Sequence, residues 1–202
     1  QEILHTEGVS PEKIVAISTS GMVPAVVLLD AHGQPLRRAI LQNDARAASE
    51  IDRLSVELAS VDLVTVTGSA LTQQSVAPTI EWLRSHEPKI WEQTASIVGS
   101  YDWLLIALGA PRHVEKNWAL ESGLFTMGGE PVEQVLAASG MESDVLPPIL
   151  SSGEQVGSLS VQAANATGLR VGTALVVGGA DHVLSAFAAG VETEGDWLVK
   201  LG

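Results

Sequence analysis

Asp181 is the residue best placed to do chemistry. It follows Ala174-Leu175-Val176-Val177, an apolar run with two β-branched residues that reads as a buried strand, and the pair Gly178-Gly179, which reads as a tight turn. Residues 183–190 continue as a helix with Leu184, Phe187 and Val191 on one face. In an open α/β sheet, ligands bind beyond the carboxyl ends of the strands, so a carboxylate there is placed to bind a ligand or accept its proton. The same residue could instead cap the helix, accepting a hydrogen bond from a backbone N–H one turn in. The two roles are compatible, because a capping carboxylate still has a second oxygen to show.

Other chemistries lack their residues. The chain has no cysteine, which rules out disulfides, thiolate metal sites and thiol nucleophiles, and its five histidines show no HExxH spacing. There is no GxxxxGK[ST] loop and no GxGxxG opening a helix. Ser20-Gly21 and Ser122-Gly123 lack the GxSxG elbow of serine hydrolases. The pairs Glu12 and Asp30, or Asp44 and Glu50, are too scattered to suggest glycoside hydrolysis. Lys plus Arg number 11 against 24 Asp plus Glu, and the net charge of −13 repels nucleic acid and anionic membrane surfaces. No apolar run reaches the ~20 residues that span a bilayer, and Gln1-Glu2-Ile3-Leu4-His5 lacks a signal-peptide layout, so a cytoplasmic protein is expected.

Several elements must position Asp181. With 46% apolar residues in 202, the chain can bury a sizeable core. Residues 1–8 read as the tail of a helix; residues 14–18 and 25–30 read as buried strands, and 39–41 as a third, together a β-meander. Ile51, Leu54 and Leu58 lie on one face of a helix over 45–59. Further helices are expected over 79–85, 88–95, 101–108 (apolar on most sides), 132–139 (stopped by Gly140) and 160–167 (capped at Ser160, stopped by Gly168). Trp82, Trp91, Trp103 and Trp118 are expected to fill core. Residues 195–202 read as a strand that stops where its turn should begin, and both ends look cut from a longer chain.

Taken together, these stretches resemble the FGGY family of carbohydrate kinases, in particular the xylulose kinases. Residues 20–30, Ser-Gly-Met-Val-Pro-Ala-Val-Val-Leu-Leu-Asp, resemble the family's SGQMHGxxLLD, and Ala39-Ile40-Leu41-Gln42-Asn43-Asp44-Ala45-Arg46 its ILWNDxR. Residues 77–83 with His86-Glu87-Pro88 are similar to APKLLWL…HEP, and Tyr101-Asp102-Trp103-Leu104 to DYL. Leu146-Pro147-Pro148 with residues 153–157 resemble LPxxxxxGxxxG; Gly179-Ala180-Asp181 stands at GxGDN, and Val199-Lys200-Leu201-Gly202 looks like the start of SLGTS. Each block is weak alone, but their shared order is specific.

The resemblance implies an α/β domain of the actin-like ATPase, ribonuclease H-like type: a mixed sheet flanked by helices, lacking its N-terminal phosphate-binding hairpin. Residues 1–194 would be the sugar-binding domain and 195–202 the strand leading into an ATP-binding domain. It implies ATP and Mg2+ as cofactors, held mostly by parts outside this chain, a sugar or polyol as acceptor, and room for a homodimer. Asp181 would be the base that takes the acceptor's hydroxyl proton, a task for which an ordinary carboxylate suffices. Val23 and Pro24 stand where relatives carry Met-His, or Arg-Glu in glycerol kinases, and their side chains cannot hydrogen-bond a sugar. Gln42 replaces a common Trp and, with Gln74, would contribute amide contacts to the substrate. His182 replaces the usual Asn, with a packing role expected. Residues 117–125 match a more variable region implied to support the site. The alternative is a non-catalytic carbohydrate-binding or regulatory relative, suggested by the missing Met-His pair and hairpin.

Overall fold

The computed structural model describes Leu4 and residues 9–199. The element that organises it is the longest strand, β7 (Ala174–Ala180), which lies between β1 (Ala16–Gly21) and β6 (Gln155–Ser158). β1 runs parallel to β7 and β6 antiparallel, so the sheet is mixed. The β1–β7 register pairs Ala16 with Ala174 and Gly21 with Ala180, with an irregularity between Ser18 and Ser20.

That irregularity explains the glycine pair. A Cβ on Gly178 would lie 1.5 Å from the backbone oxygen of Thr19, so only glycine allows β1 to approach this closely. Gly178-Gly179 is therefore not the tight turn expected from sequence. The strand runs through both glycines to Ala180, and α9 (Asp181–Ala188) follows directly.

The expected meander is also corrected. β1 joins β7 rather than its sequence neighbour, and β2 (Val27–Leu29) pairs antiparallel with β3 (Ser96–Val98). The third meander strand reduces to a bridge between Ile40 and Val26. β1 is not buried: it is one of the two outer strands of its sheet among the described residues, its side chains alternate between exposed and half-buried, and Val15 before it is 77% exposed. β2, by contrast, is buried throughout.

Helices pack around these strands. α1 (Ala48–Glu57) buries Leu54, α2 (Leu63–Thr67) follows, and α3 (Val76–His86) buries Ile80 and Leu83 on the same core. After α4 (Pro88–Trp91) comes α5 (Ser100–Leu108), which buries Tyr101, Asp102 and Leu105 but leaves Leu104 in solvent, so it is less enclosed than its apolar sequence suggests. β4 (Val114–Glu115) pairs with β5 (Ile149–Leu150), and α6 (Lys116–Ser122) starts where β4 ends.

α7 (Glu133–Ser139) and α8 (Val161–Thr167) begin and end as the sequence indicates. Both close on left-handed glycines, Gly140 at φ 64° and Gly168 at φ 79°, and Ser160 Oγ accepts from the Ala163 N–H at 3.2 Å. Trp118 is fully buried and donates its indole N–H to the Ala25 carbonyl at 2.8 Å, while Trp82, Trp91 and Trp103 pack half-buried on the same core. On the helix after β7, Phe187 is 63% exposed rather than facing the core. Of the expected C-terminal strand, residues 195–199 form none and 200–202 lie outside the described residues; of the N-terminal helix tail, only Leu4 lies within them. No helix among the described residues is long and apolar enough to cross a membrane.

Gly178→Ala is expected to abolish cooperative folding or lower stability by more than about 3 kcal/mol, because the clash is with backbone and cannot be relieved by a rotamer. Gly172→Ala, whose Cβ would meet nothing within 4 Å, should cost about 1 kcal/mol for its positive φ alone. Thermal and denaturant melts of the two variants, compared with wild type, read out the difference.

Candidate active site

The parallel pairing of β1 with β7 brings their carboxyl ends together. Gly21 lies beside Ala180, so Met22-Val23-Pro24 leaves one strand next to the point where Asp181 leaves the other. Asp181 is the first residue of α9, and the N-cap position belongs to Ala180. The capping role open to Asp181 in the sequence is therefore not taken. Among the described residues no backbone N–H donates to its carboxylate, which is 47% exposed.

A chain of side chains links this carboxylate to a cavity. His182 Nδ1 lies 3.8 Å from Asp181 Oδ1, and His182 Nε2 lies 3.2 Å from Glu121 Oε1 on α6. His182 is 45% exposed and engaged with carboxylates, rather than packed as expected. Glu121 in turn lines a cavity of about 440 Å³ together with Thr67, Ser69, Thr72, Gln74 and Met127. Gln74 thus reaches the same enclosure as Glu121.

The remaining expected site residues lie on the β1 side. Gln42 Nε2 points to Met22 Sδ at 3.8 Å, which sets it against the segment leaving β1, and it is not among the residues lining the Glu121 cavity. Val23 and Pro24 are buried, and Val23 packs into the same core as Ala180. Their side chains belong to the interior.

Behind the site sits a carboxylate that sequence reasoning missed. Glu115, 1% exposed, accepts from the Tyr101 hydroxyl at 2.9 Å, the Asn117 N–H at 3.0 Å, the Asn117 side-chain amide at 2.8 Å and the Ser152 hydroxyl at 2.9 Å. Through Asn117 it caps α6, and through Ser152 it reaches the underside of β7, where a Cβ on Gly179 would lie 3.2 Å from Ser152 Oγ. The neighbouring Asp102 is fully buried and accepts from the backbone N–H groups of Gly99 at 3.2 Å and Glu115 at 3.1 Å.

Burial sets the electrostatics here. It pushes the Asp102 carboxyl up to about 8, with the Glu115 charge adding to the rise and the two backbone donors opposing it. Burial likewise lifts the Tyr101 phenol well above its ordinary range, helped by Asp102 and Glu115, and depresses His113, whose Nε2 stands 3.9 Å from Asp102 Oδ1 without a hydrogen-bond partner. Glu121 is raised first by burial; His182 opposes the shift, and Asp181 and Glu115 reinforce it.

Comparison with known proteins agrees with this architecture. The FGGY family of carbohydrate kinases, N-terminal domain, matches residues 1–188. Autoinducer-2 kinase from Escherichia coli (strain K12) is 33% identical over 197 residues, covering 95% of this chain and 36% of that protein. L-xylulose/3-keto-L-gulonate kinase from the same strain is 32% identical over 210 residues, covering 99% of this chain and 42% of that protein. The crystal structure of xylulose kinase from Rhodospirillum rubrum superposes with a TM-score of 0.84 at 36% identity, covering 90% of this chain and 38% of that one. The chain spans well under half the length of each of these relatives.

Asp102 yields a pH prediction. Its folded value, about 8, lies above the unfolded 3.8, so between these limits the native state keeps a proton that the unfolded chain releases. Stability from this group is complete below the lower limit and is lost as pH rises through the upper one, with a slope of up to about 1.4 kcal/mol per pH unit. Asp102→Asn should flatten that slope in urea melts taken between pH 5 and pH 8; an unchanged slope would show that Asp102 does not carry the proton.

Proposed function

Because the chain belongs to the FGGY family of carbohydrate kinases, we propose that it forms the acceptor-binding domain of an ATP-dependent sugar or polyol kinase, with Asp181 as its catalytic base. One observation carries this reading: the Asp181 carboxylate stands at the shared carboxyl end of two parallel strands, half-exposed and not engaged in capping its helix. In the reaction, the acceptor oxygen bonds to the terminal phosphorus of the nucleotide, the bond to the nucleoside diphosphate breaks, and the hydroxyl proton passes to Asp181. Position matters more than basicity in such a base, because the hydroxyl becomes acidic only as the new bond forms. A rigid strand end supplies position.

The other side chains divide the work of binding. Gln74 offers an amide from the cavity wall and Gln42 another from beside Met22; each can both donate to and accept from acceptor hydroxyls. Val23 and Pro24, being buried, act through the course they give the backbone leaving β1.

The nucleotide and Mg2+ implied for such a kinase need no preformed three-ligand site, because Mg2+ there is held by one or two carboxylates together with the nucleotide's phosphates, and none is present in the residues described. Gly178-Gly179 is locked within β7 rather than free to wrap a phosphate. On this reading the nucleotide and metal are assigned to other parts of the full-length protein.

Asp181→Asn in the full-length protein is expected to lower kcat by about 10²–10⁴-fold, the usual yield of a positioned base, while acceptor affinity changes by less than about threefold. Coupled assay of nucleoside diphosphate release gives the rate and calorimetry gives the affinity. Wild-type turnover in the variant would remove Asp181 from the reaction.

A further inference from the structure

The cavity lined by Glu121 is joined to Asp181 only through His182 among the described residues, and its lining carries a selectivity of its own. Its volume, about 440 Å³, falls in the range of about 300–1,000 Å³ usual for small-molecule sites. Its walls are rich in hydroxyl and amide groups, yet three hydroxyls are already engaged within the protein. Thr67 Oγ1 donates to the Leu63 carbonyl at 2.9 Å, Ser75 Oγ accepts from the Thr72 N–H at 3.0 Å, and Thr72 Oγ1 accepts from the Gln74 N–H at 3.2 Å. These bonds fix the loop between α2 and α3. The Ser69 hydroxyl, the Gln74 side-chain amide and Glu121 Oε2 have no protein partner among the described residues.

Among the described residues Glu121 is the only charged group in that lining; a basic side chain, His182, meets its Oε1 from outside the lining. Glu121 Oε1 lies 3.2 Å from His182 Nε2, which leaves Oε2 towards the cavity side, and the Glu121 side chain keeps 32% of its exposure. A carboxylate accepts hydrogen bonds and donates none while ionised, so its complement is a donor-rich, uncharged ligand face such as vicinal hydroxyls. A second anion against it in a half-enclosed site would meet both repulsion and desolvation.

We propose that Glu121 is the specificity-determining residue of the acceptor cavity, receiving hydroxyl hydrogens of an uncharged polyol or ketose and excluding acceptors that carry a carboxylate or phosphate. The proposal rests on the reading of this region as an acceptor site, and adds to it a residue and a selection rule. Here His182 is a positioning residue: it touches Glu121 on one side and approaches Asp181 on the other, so the selecting carboxylate and the base share one support. A neighbouring cavity of about 270 Å³ shares Leu120 and Met127 and contains Lys116, the competing place for an anionic group.

The test is a ratio. Xylitol and xylonate, which differ by a carboxylate at C1, are titrated by calorimetry into the full-length protein and into its Glu121→Gln and Lys116→Ala variants, with thermal melts to verify folding. Wild type should bind xylitol at least about tenfold more tightly than xylonate. Glu121→Gln should weaken xylitol binding about tenfold or more and bring the ratio towards one, whereas a purely structural role would weaken both ligands alike and leave the ratio unmoved. Wild-type preference for xylonate, lost in Lys116→Ala, would overturn the proposal and move recognition to the neighbouring cavity. An unmoved ratio in a folded Glu121→Gln would overturn it as well. Binding is read without turnover, so failure of Asp181 as base, seen as retained activity in Asp181→Asn, is distinguishable from failure of Glu121 as selector.

Discussion

The structure depends on one buried carboxyl group, Glu115, that is held by hydrogen bonds rather than by a salt bridge among the described residues. Glu115 is almost entirely enclosed, and transferring a carboxylate out of water costs several kcal/mol even after relaxation. Four donors offset that cost, drawn from α5, from the start of α6 and from the turn before β6. These are the parts of the chain that surround the end of β7. A salt bridge would satisfy the charge with one partner, whereas hydrogen bonds need several, each directed. The geometry of three separate segments is therefore fixed by the valence of one side chain.

From that anchor the arrangement runs outward. Asn117 starts α6 at the place that lets Glu121, one turn on, face the helix after β7, and Ser152 closes the underside of Gly179. Gly178 brings β1 within reach of β7, which sets Met22 and Asp181 side by side. The carboxylates grade from Asp102 in the interior, where burial holds the proton, through Glu121 at the cavity wall to Asp181 at the strand end. The Glu115 charge adds to the rise of both Asp102 and Glu121, and Asp181 adds to that of Glu121, so the buried acids are electrostatically linked to the strand end.

What the sequence disclosed was what local chemistry decides. Ser160 and Gly168 bracket α8, and Gly140 ends α7, because caps and left-handed stops act over a few residues. The glycines of β7 were misread because a Gly-Gly pair suits both a turn and a close approach, and only the distant Thr19 carbonyl decides between them. The meander failed for the same reason: apolar segments near the N-terminus suggest pairing with each other, but β1 finds its partner near the other end of the chain. β4 and β5 have two residues each, too few to show any period. Asp181 was legible as a strand-end acid at the start of the next helix, and of the two roles open to it capping is the one not taken. Glu115 gave no sequence signal and Glu121 only its place within 117–125, since their meaning comes from three segments meeting at one carboxylate and from α6 meeting α9.

Which helix position Asp181 takes matters to the chemistry. An N-cap carboxylate is turned back onto its own helix, with an oxygen committed to a backbone N–H, whereas at the first helical position the side chain leaves the axis and keeps both oxygens for other partners. The proposed base thus opens the helix that follows β7 and the proposed selector lies on a helix that a buried carboxylate caps, while most of the rest of the cavity wall is the loop between α2 and α3. Such a division lets acceptor preference change through loop residues such as Ser69 and Gln74 without moving the proton acceptor. Val23 and Pro24 fit the same logic. Buried in the core, they leave the proposed acceptor contacts to other side chains, and a cavity whose polar groups lie on its loop and helix walls can be retuned without disturbing that core.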